Sequence, residues 1–251
     1  MLRDVALFEI DLPIVSLPTE LDGLRILHVS DAHFGQRWCD GYDTLLATIA
    51  ELNADLIVFT GDWVEDKFDF RLGLDVAQRF ARGLVSKFGT FSCLGNHDGD
   101  LIAPYLLDAG VKLMVGERRR ILGGDSAIEI LGLPGVARLD LSPTLIDSFG
   151  PRPPDTLRLV LTHYPDHIRQ LAPLDAHLVL TGHTHGGQIC MPGARPIITH
   201  DSLPKAQSSG LHQFGDTWMH ASRGIGTTAW NVRLFCPAEI TLLTLQRSSL
   251  P

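Results

Sequence analysis

The chain has 251 residues, of which 45% are hydrophobic, enough to bury the core of one large α/β domain. Its 29 acidic residues outnumber its 21 basic ones, for a formal net charge of −8. That balance argues against a general nucleic-acid binder, which neutralises phosphates with Lys and Arg.

At the N-terminus, the apolar stretch 5–15 is interrupted by Glu9 and Asp11, which excludes a signal peptide and a membrane span. The cytoplasm is the default compartment, with membrane contact limited to the periphery. Five apolar runs have the length and β-branched content of buried strands: 25–29, 56–60, 90–94, 157–162 and 178–181. Further strands are expected at 127–133 and 239–245. Between them, 43–52, 72–85 and 101–109 carry apolar residues at helical spacing. Strands alternating with helices give an α/β fold. Arg118-Arg119-Arg120 reads as a solvated face or turn, and Gly150-Pro151-Arg152-Pro153-Pro154 as a surface loop. No repeat or linker divides the chain, so one domain over 1–251 is expected. Cys39, Cys93, Cys190 and Cys236 stand apart with no CxxC pair and read as isolated reduced thiols.

Each of the five strands runs into a short polar cluster. In chain order these are Asp31-Ala32-His33, Gly61-Asp62, Gly95-Asn96-His97-Asp98, His163 and Gly182-His183-Thr184-His185. Ligands of open α/β sheets bind at the carboxyl ends of strands, so the five clusters should converge on one rim. Their side chains offer carboxylate, imidazole and amide donors, which suit divalent transition metals such as Mn, Fe or Zn better than calcium or magnesium. Two divalent ions held by Asp31 and Asp62 and bridged by a hydroxide would keep about one net positive charge, matched to an anionic phosphate ester.

At these residues the sequence resembles the calcineurin-like metallophosphoesterase superfamily, whose ordered set D-x-H, G-D, G-N-H-D, H and G-H-x-H is complete here. The resemblance implies a four-layer αββα sandwich of two mixed β-sheets flanked by helices. It implies that Asp31, His33 and His185 hold one metal ion, that Asn96, His163 and His183 hold a second, and that Asp62 bridges them. Asn96 would also contact substrate. His97 would be the acid at the leaving oxygen, with Asp98 orienting its imidazole.

Departures from the pattern narrow the branch. No Arg follows the G-D pair closely, unlike in protein serine/threonine phosphatases, and Glu65 stands where purple acid phosphatases have a Tyr ligand. His97 stands where the cytoplasmic hydrolases of UDP-diacylglucosamine usually have Arg. The G-H-T-H-G-G-Q run, Pro192-Gly193 and Ser222-Arg223-Gly224 are similar to a small bacterial phosphodiesterase-like branch. The implied reaction is hydrolysis of a phosphodiester or pyrophosphate, with a small-molecule or lipid-linked substrate, through in-line attack by the bridging hydroxide. Arg223 is a candidate contact for the substrate phosphate. A catalytically silent protein-binding scaffold and a nuclease are the competing readings. His28, His167, His177, His200, His212 and His220 match no motif and read as structural.

Overall fold

The structure is a computed structural model that describes residues 5–65, 69–123, 125–135 and 141–248. Its first strands are β1 (Ala6–Val15), β2 (Arg25–Val29), β3 (Leu56–Thr60), β4 (Thr90–Cys93) and β5 (Lys112–Leu113). There follow β6 (Glu117–Gly123), β7 (Ser126–Gly132), β8 (Thr156–Leu161), β9 (Leu178–Thr181), β10 (Cys190–Met191) and β11 (Arg195–Pro196). The last three are β12 (Gly210–Phe214), β13 (Thr217–Ala221) and β14 (Glu239–Ser248). The helices are α1 (Asp40–Glu51), α2 (Arg71–Gly83), α3 (Ala103–Asp108) and α4 (Pro143–Ser148).

Alternation along the strands dictates the layers. Ile26, Leu56 and Val58 point to one face and pack against Ile130, Leu159 and Leu180 of a facing sheet. Their neighbours Leu27, Ile57 and Phe59 point the other way, onto Leu45, Ile49, Ala77 and Phe80 of α1 and α2. The facing sheet turns Leu131, Val160 and Val179 outward beneath Ile146 of α4 and the short 3-10 turns near it. Two six-stranded mixed sheets result, ordered β1-β14-β2-β3-β4-β5 and β12-β13-β9-β8-β7-β6, between helical layers. The architecture is the expected αββα sandwich.

Both faces of the central strands are apolar, as parallel strands covered on both sides require. β2, β3 and β4 are mutually parallel, as are β7, β8, β9 and β13, so the carboxyl ends within each set share a rim.

Three local expectations shift. The stretch 5–15 forms β1, a sheet-edge strand that buries Leu12 and Ile14 and leaves Asp11 and Pro13 exposed. An edge is where a sheet tolerates proline. The triple arginine forms the expected solvated face, carried on edge strand β6 paired to β7 and not on a turn. The helix expected at 101–109 splits into a 3-10 turn, Asp100–Ile102, and α3, because Pro104 supplies no N–H to continue one helix. No helix among the described residues is long and apolar enough to cross a membrane.

A buried polar contact bridges the two sheets. His28 of β2 meets His220 of β13, Nδ1 to Nδ1, at 2.8 Å in the buried interior. One ring must donate and the other accept, so the pair is neutral with complementary tautomers. Burial, with the charge of Arg223, depresses His220 to about 3; burial and His220 depress His28 as well. A histidine with a depressed folded pKa contributes stability that is fully present above about pH 6.5 and is lost as pH falls below it. The His220 imidazole resonances are therefore expected to stay fixed between pH 8 and 5. A titration step near pH 6.5 in an NMR pH series would contradict this.

Candidate metal centre

The clusters at the strand ends turn sharply. Asp31, His33, Asp62, His183 and His185 all have positive φ, at 49°, 47°, 56°, 70° and 51°. The left-handed region costs a non-glycine residue about 1–3 kcal/mol, so five such residues in one place point to a functional constraint. Two glycines allow the close approach. A Cβ on Gly95 would collide with the Asp62 carboxylate, and one on Gly182 with Asp31 and Ser30.

The structure brings the expected ligands together in two groups. In the first, His33 Nε2 lies 3.0 Å from His185 Nε2, and His185 Nε2 lies 3.6 Å from Asp31 Oδ1. In the second, His163 Nε2 lies 3.1 Å from Asn96 Oδ1 and 3.3 Å from His183 Nδ1. Asp62 Oδ2 faces both groups, 3.5 Å from His33 Nε2 and 3.3 Å from His163 Nε2. Donors about 2.1 Å from a common ion sit roughly 3.0–3.4 Å from each other in octahedral or tetrahedral arrangements. The observed spacings run from 3.0 to 3.6 Å, within that range or just beyond it, and the donors are oxygens and imidazole nitrogens without thiolates. Two divalent ions fit this site. His97 approaches as well, since its ring and atoms of His33 and Asp62 fall within 4.8 Å of one another.

Outer contacts fix the donors. His163 Nδ1 faces the Thr60 carbonyl at 2.8 Å, and His33 Nδ1 pairs with Glu65 Oε2 at 2.7 Å. Each imidazole is thereby held with its other nitrogen toward the cluster. Asp31 accepts from the His183 backbone N–H at 3.0 Å and from the Ser30 hydroxyl. That hydroxyl accepts from Thr60 Oγ1 at 2.7 Å, and Thr60 Oγ1 lies 2.9 Å from His28 Nε2. A continuous polar chain thus links Asp31 to the His28–His220 bridge.

The electrostatics are those of a cation site. Burial raises the Asp31 carboxyl, and the charge of Asp62 adds to the rise. Burial acts on Asp62 too, but His163, His33 and His97 around it win and hold its carboxyl below the usual range. Burial alone would discharge His163, yet the Asp62 and Asp31 charges raise it to about 9. Metal ligation needs His163 as neutral imidazole, so a cation bound there would compete with a proton.

Comparison with known proteins bears on this geometry. The family model described as calcineurin-like phosphoesterase matches residues 24–187, which hold all five clusters. The chain belongs to that family. It is 33% identical to metallophosphoesterase YkuE of Bacillus subtilis over 93% of this chain and 82% of that one. It is 29% identical to Phosphodiesterase YaeI of Escherichia coli, covering 88% and 82%. UDP-2,3-diacylglucosamine pyrophosphatase LpxG of Chlamydia trachomatis is 26% identical, covering 89% and 84%. Among solved structures, the NAD nucleotidase NadN of Haemophilus influenzae shares the fold. It superposes with a TM-score of 0.53 at 14% identity, covering 80% of this chain and 45% of that one.

In this metallophosphoesterase two expected contacts differ. The Asp98 carboxylate accepts backbone N–H groups of Asp62, Trp63 and Gly95 at 2.9, 2.6 and 2.7 Å, while His97 Nδ1 faces the Glu65 carbonyl at 2.7 Å. Asp98 therefore clamps the Asp62 and Gly95 turns together, and Glu65 orients His97. Burial and the Asp62 charge push the Asp98 carboxyl up to about 7 against those three donors.

Arg223, the expected phosphate contact, pairs instead with buried Glu239 at 3.0 Å and lies over the Phe8 ring. Its neighbours do the positioning: Ile225 N donates to Ser30 O at 3.0 Å and Gly226 N to Asp31 O at 2.8 Å. Sequence reasoning missed Arg233, whose guanidinium donates to Arg223 O at 2.7 Å and lies 3.3 Å from His185 Nδ1. It also left the cysteines apart, whereas Cys190 and Cys236 both reach the Gly186 carbonyl, at 3.2 and 3.5 Å. The loop separations of 10 and 46 residues involved give no sequence signal.

Glu65→Gln is expected to weaken metal affinity by about 10–100-fold, as loss of an outer partner typically does; metal-binding isotherms check it. Arg223→Ala should remove the cation paired with buried Glu239, leaving it only the residue-223 backbone N–H at 2.9 Å, and cost about 3 kcal/mol of stability. A raised KM with an unchanged denaturation midpoint would instead restore a direct phosphate contact.

Proposed function

We propose that the chain works as one cytoplasmic domain that hydrolyses a phosphodiester or pyrophosphate with two divalent ions. Asp31, His33, His185 and Asp62 would hold one ion, and Asp62, Asn96, His163 and His183 the other. When bound, the pair supplies Lewis acidity to phosphoryl oxygens and lowers the pKa of water enough for attack at neutral pH. The observation that carries the reading is Asp62 Oδ2, a carboxylate oxygen set between His33 of one group and His163 of the other.

The role of His97 follows from its partners. The Glu65 carbonyl can only accept, so His97 Nδ1 carries a hydrogen toward it. Nε2 is then the nitrogen that gains and gives up a proton. As imidazolium, His97 would protonate the leaving oxygen from Nε2 and return to the neutral tautomer that Glu65 already holds. Its backbone N–H donates to Asp62 Oδ1 at 2.8 Å, which ties this acid to the shared carboxylate. Asn96 turns its amide oxygen to His163, leaving the amide nitrogen to face a substrate oxygen.

Hydrolysis of an aryl phosphodiester by the Mn²⁺-reconstituted chain tests the reading. Asp62→Ala and His183→Ala should abolish turnover, and wild-type rates in both would refute the assignment. His97→Ala should lower kcat by about 10²–10⁴-fold while metal content is retained. Loss of the ions in that variant would make His97 a ligand. A panel of monoesters, diesters, cyclic nucleotides and sugar-nucleotide diphosphates then ranks the substrate classes.

A further inference from the structure

Among the described residues, seven of the fifteen exposed large hydrophobic side chains lie in two short segments. Met191, Ile197 and Ile198 occupy one, around the β10–β11 hairpin; Trp230, Val232, Leu234 and Phe235 occupy the other. The segments are stitched together. Cys190 N donates to Leu234 O at 2.9 Å and Leu234 N to Gln188 O at 3.0 Å. The Gln188 amide donates to the Thr228 and Trp230 carbonyls at 3.0 Å each. Isolated exposed hydrophobics are ordinary, but a contiguous patch marks a binding surface.

Between the segments lies a cavity of about 340 Å³, walled by Ile189, Ile197, Ile198 and Trp230, with His183 and His185 also lining it. That volume is in the range of small-molecule sites. The cavity therefore has a chemical gradient, with imidazoles of the metal centre at one side and hydrocarbon at the other. A wholly polar ester would leave these walls facing water. A molecule carrying both a phosphate and a hydrocarbon arm would satisfy both sides.

The charge of the rim agrees. Exposed Arg195 stands opposite Met191 in the hairpin, and exposed Lys205 donates to the Ile197 carbonyl. In residues 189–205 the single acid is Asp201, which accepts from the Leu203 N–H at 2.7 Å. A locally basic segment next to the cavity-lining Ile197 and Ile198, on a chain of net charge −8, favours an anionic amphiphile.

We infer that this cavity receives the hydrocarbon arm of an amphiphilic phosphoester, with the phosphate at the His183–His185 end. The inference rests on the hydrolase reading above and adds the substrate class.

The test is a series of p-nitrophenyl alkyl phosphates with ethyl, hexyl and decyl arms, each below its critical micelle concentration, on the Mn²⁺-loaded chain. The leaving group is constant, so only the arm varies. A fully buried methylene is worth about a fourfold gain, so kcat/KM should rise at least about 10-fold from ethyl to hexyl. Ile198→Asn and Trp230→Ser, both at exposed positions, should flatten that rise. Calorimetry on the metal-free chain gives a readout without turnover: decylphosphonate should bind at least about 10-fold tighter than ethylphosphonate, and Ile198→Asn should erase the difference. Equal kcat/KM across the series in an active enzyme overturns the inference and leaves the hydrolase reading standing; a patch that docks a protein would give this result. Absence of turnover with every ester counts against the hydrolase reading, and the phosphonate comparison then decides the cavity separately.

Discussion

The shared carboxylate of Asp62 is the constraint around which the rest of the molecule is arranged. One oxygen can stand between two imidazole groups only if the ends of β2, β3, β4, β8 and β9 lie on a common rim and turn back upon it. The parallel pairing of neighbouring strands supplies the rim, and the left-handed turns at five ligand positions supply the reversal. Those turns are unfavourable alone. They persist because the surrounding backbone is held from several sides: by Asp98 beneath Asp62 and Gly95, and by the 224–226 segment beside Asp31.

The support extends into the core. Asp31, Ser30, Thr60, His28 and His220 form one hydrogen-bonded line from the rim to the interior between the sheets. Each buried polar atom on that line has a partner, which is what permits polar groups among aliphatic strands. The bridge joins the sheet that carries β2 and β3 to the one that carries β8 and β9, whose ends supply the clusters.

Two kinds of surface meet at the rim. On one side the imidazoles of His163, His183 and His97 surround carboxylates; on the other the hairpin and the 228–235 loop present aliphatic and aromatic side chains. The candidate ligand clusters lie within the 24–187 family match, whereas Ile189, Ile197, Ile198 and Trp230 of the apolar wall lie outside it.

The sequence by itself determined an α/β fold, the positions of β2, β3, β4, β7, β8, β9 and β14, and the polar clusters at the strand ends, while the four layers came with the family resemblance. Alternation within strands and the polar residues after them are local properties, readable over two to eight residues. Family resemblance then attached roles to Asp31, His33, Asp62, Asn96, His163, His183 and His185. Only the tertiary structure decided which atoms meet. The pairing of His33 with His185 spans 152 positions, and that of His28 with His220 spans 192. It gave His97 to Glu65 in place of Asp98, Arg223 a partner in Glu239, and Cys190 a neighbour in Cys236. Such contacts leave no periodic trace in the chain, because they follow from how separate elements pack and not from the residues beside each partner.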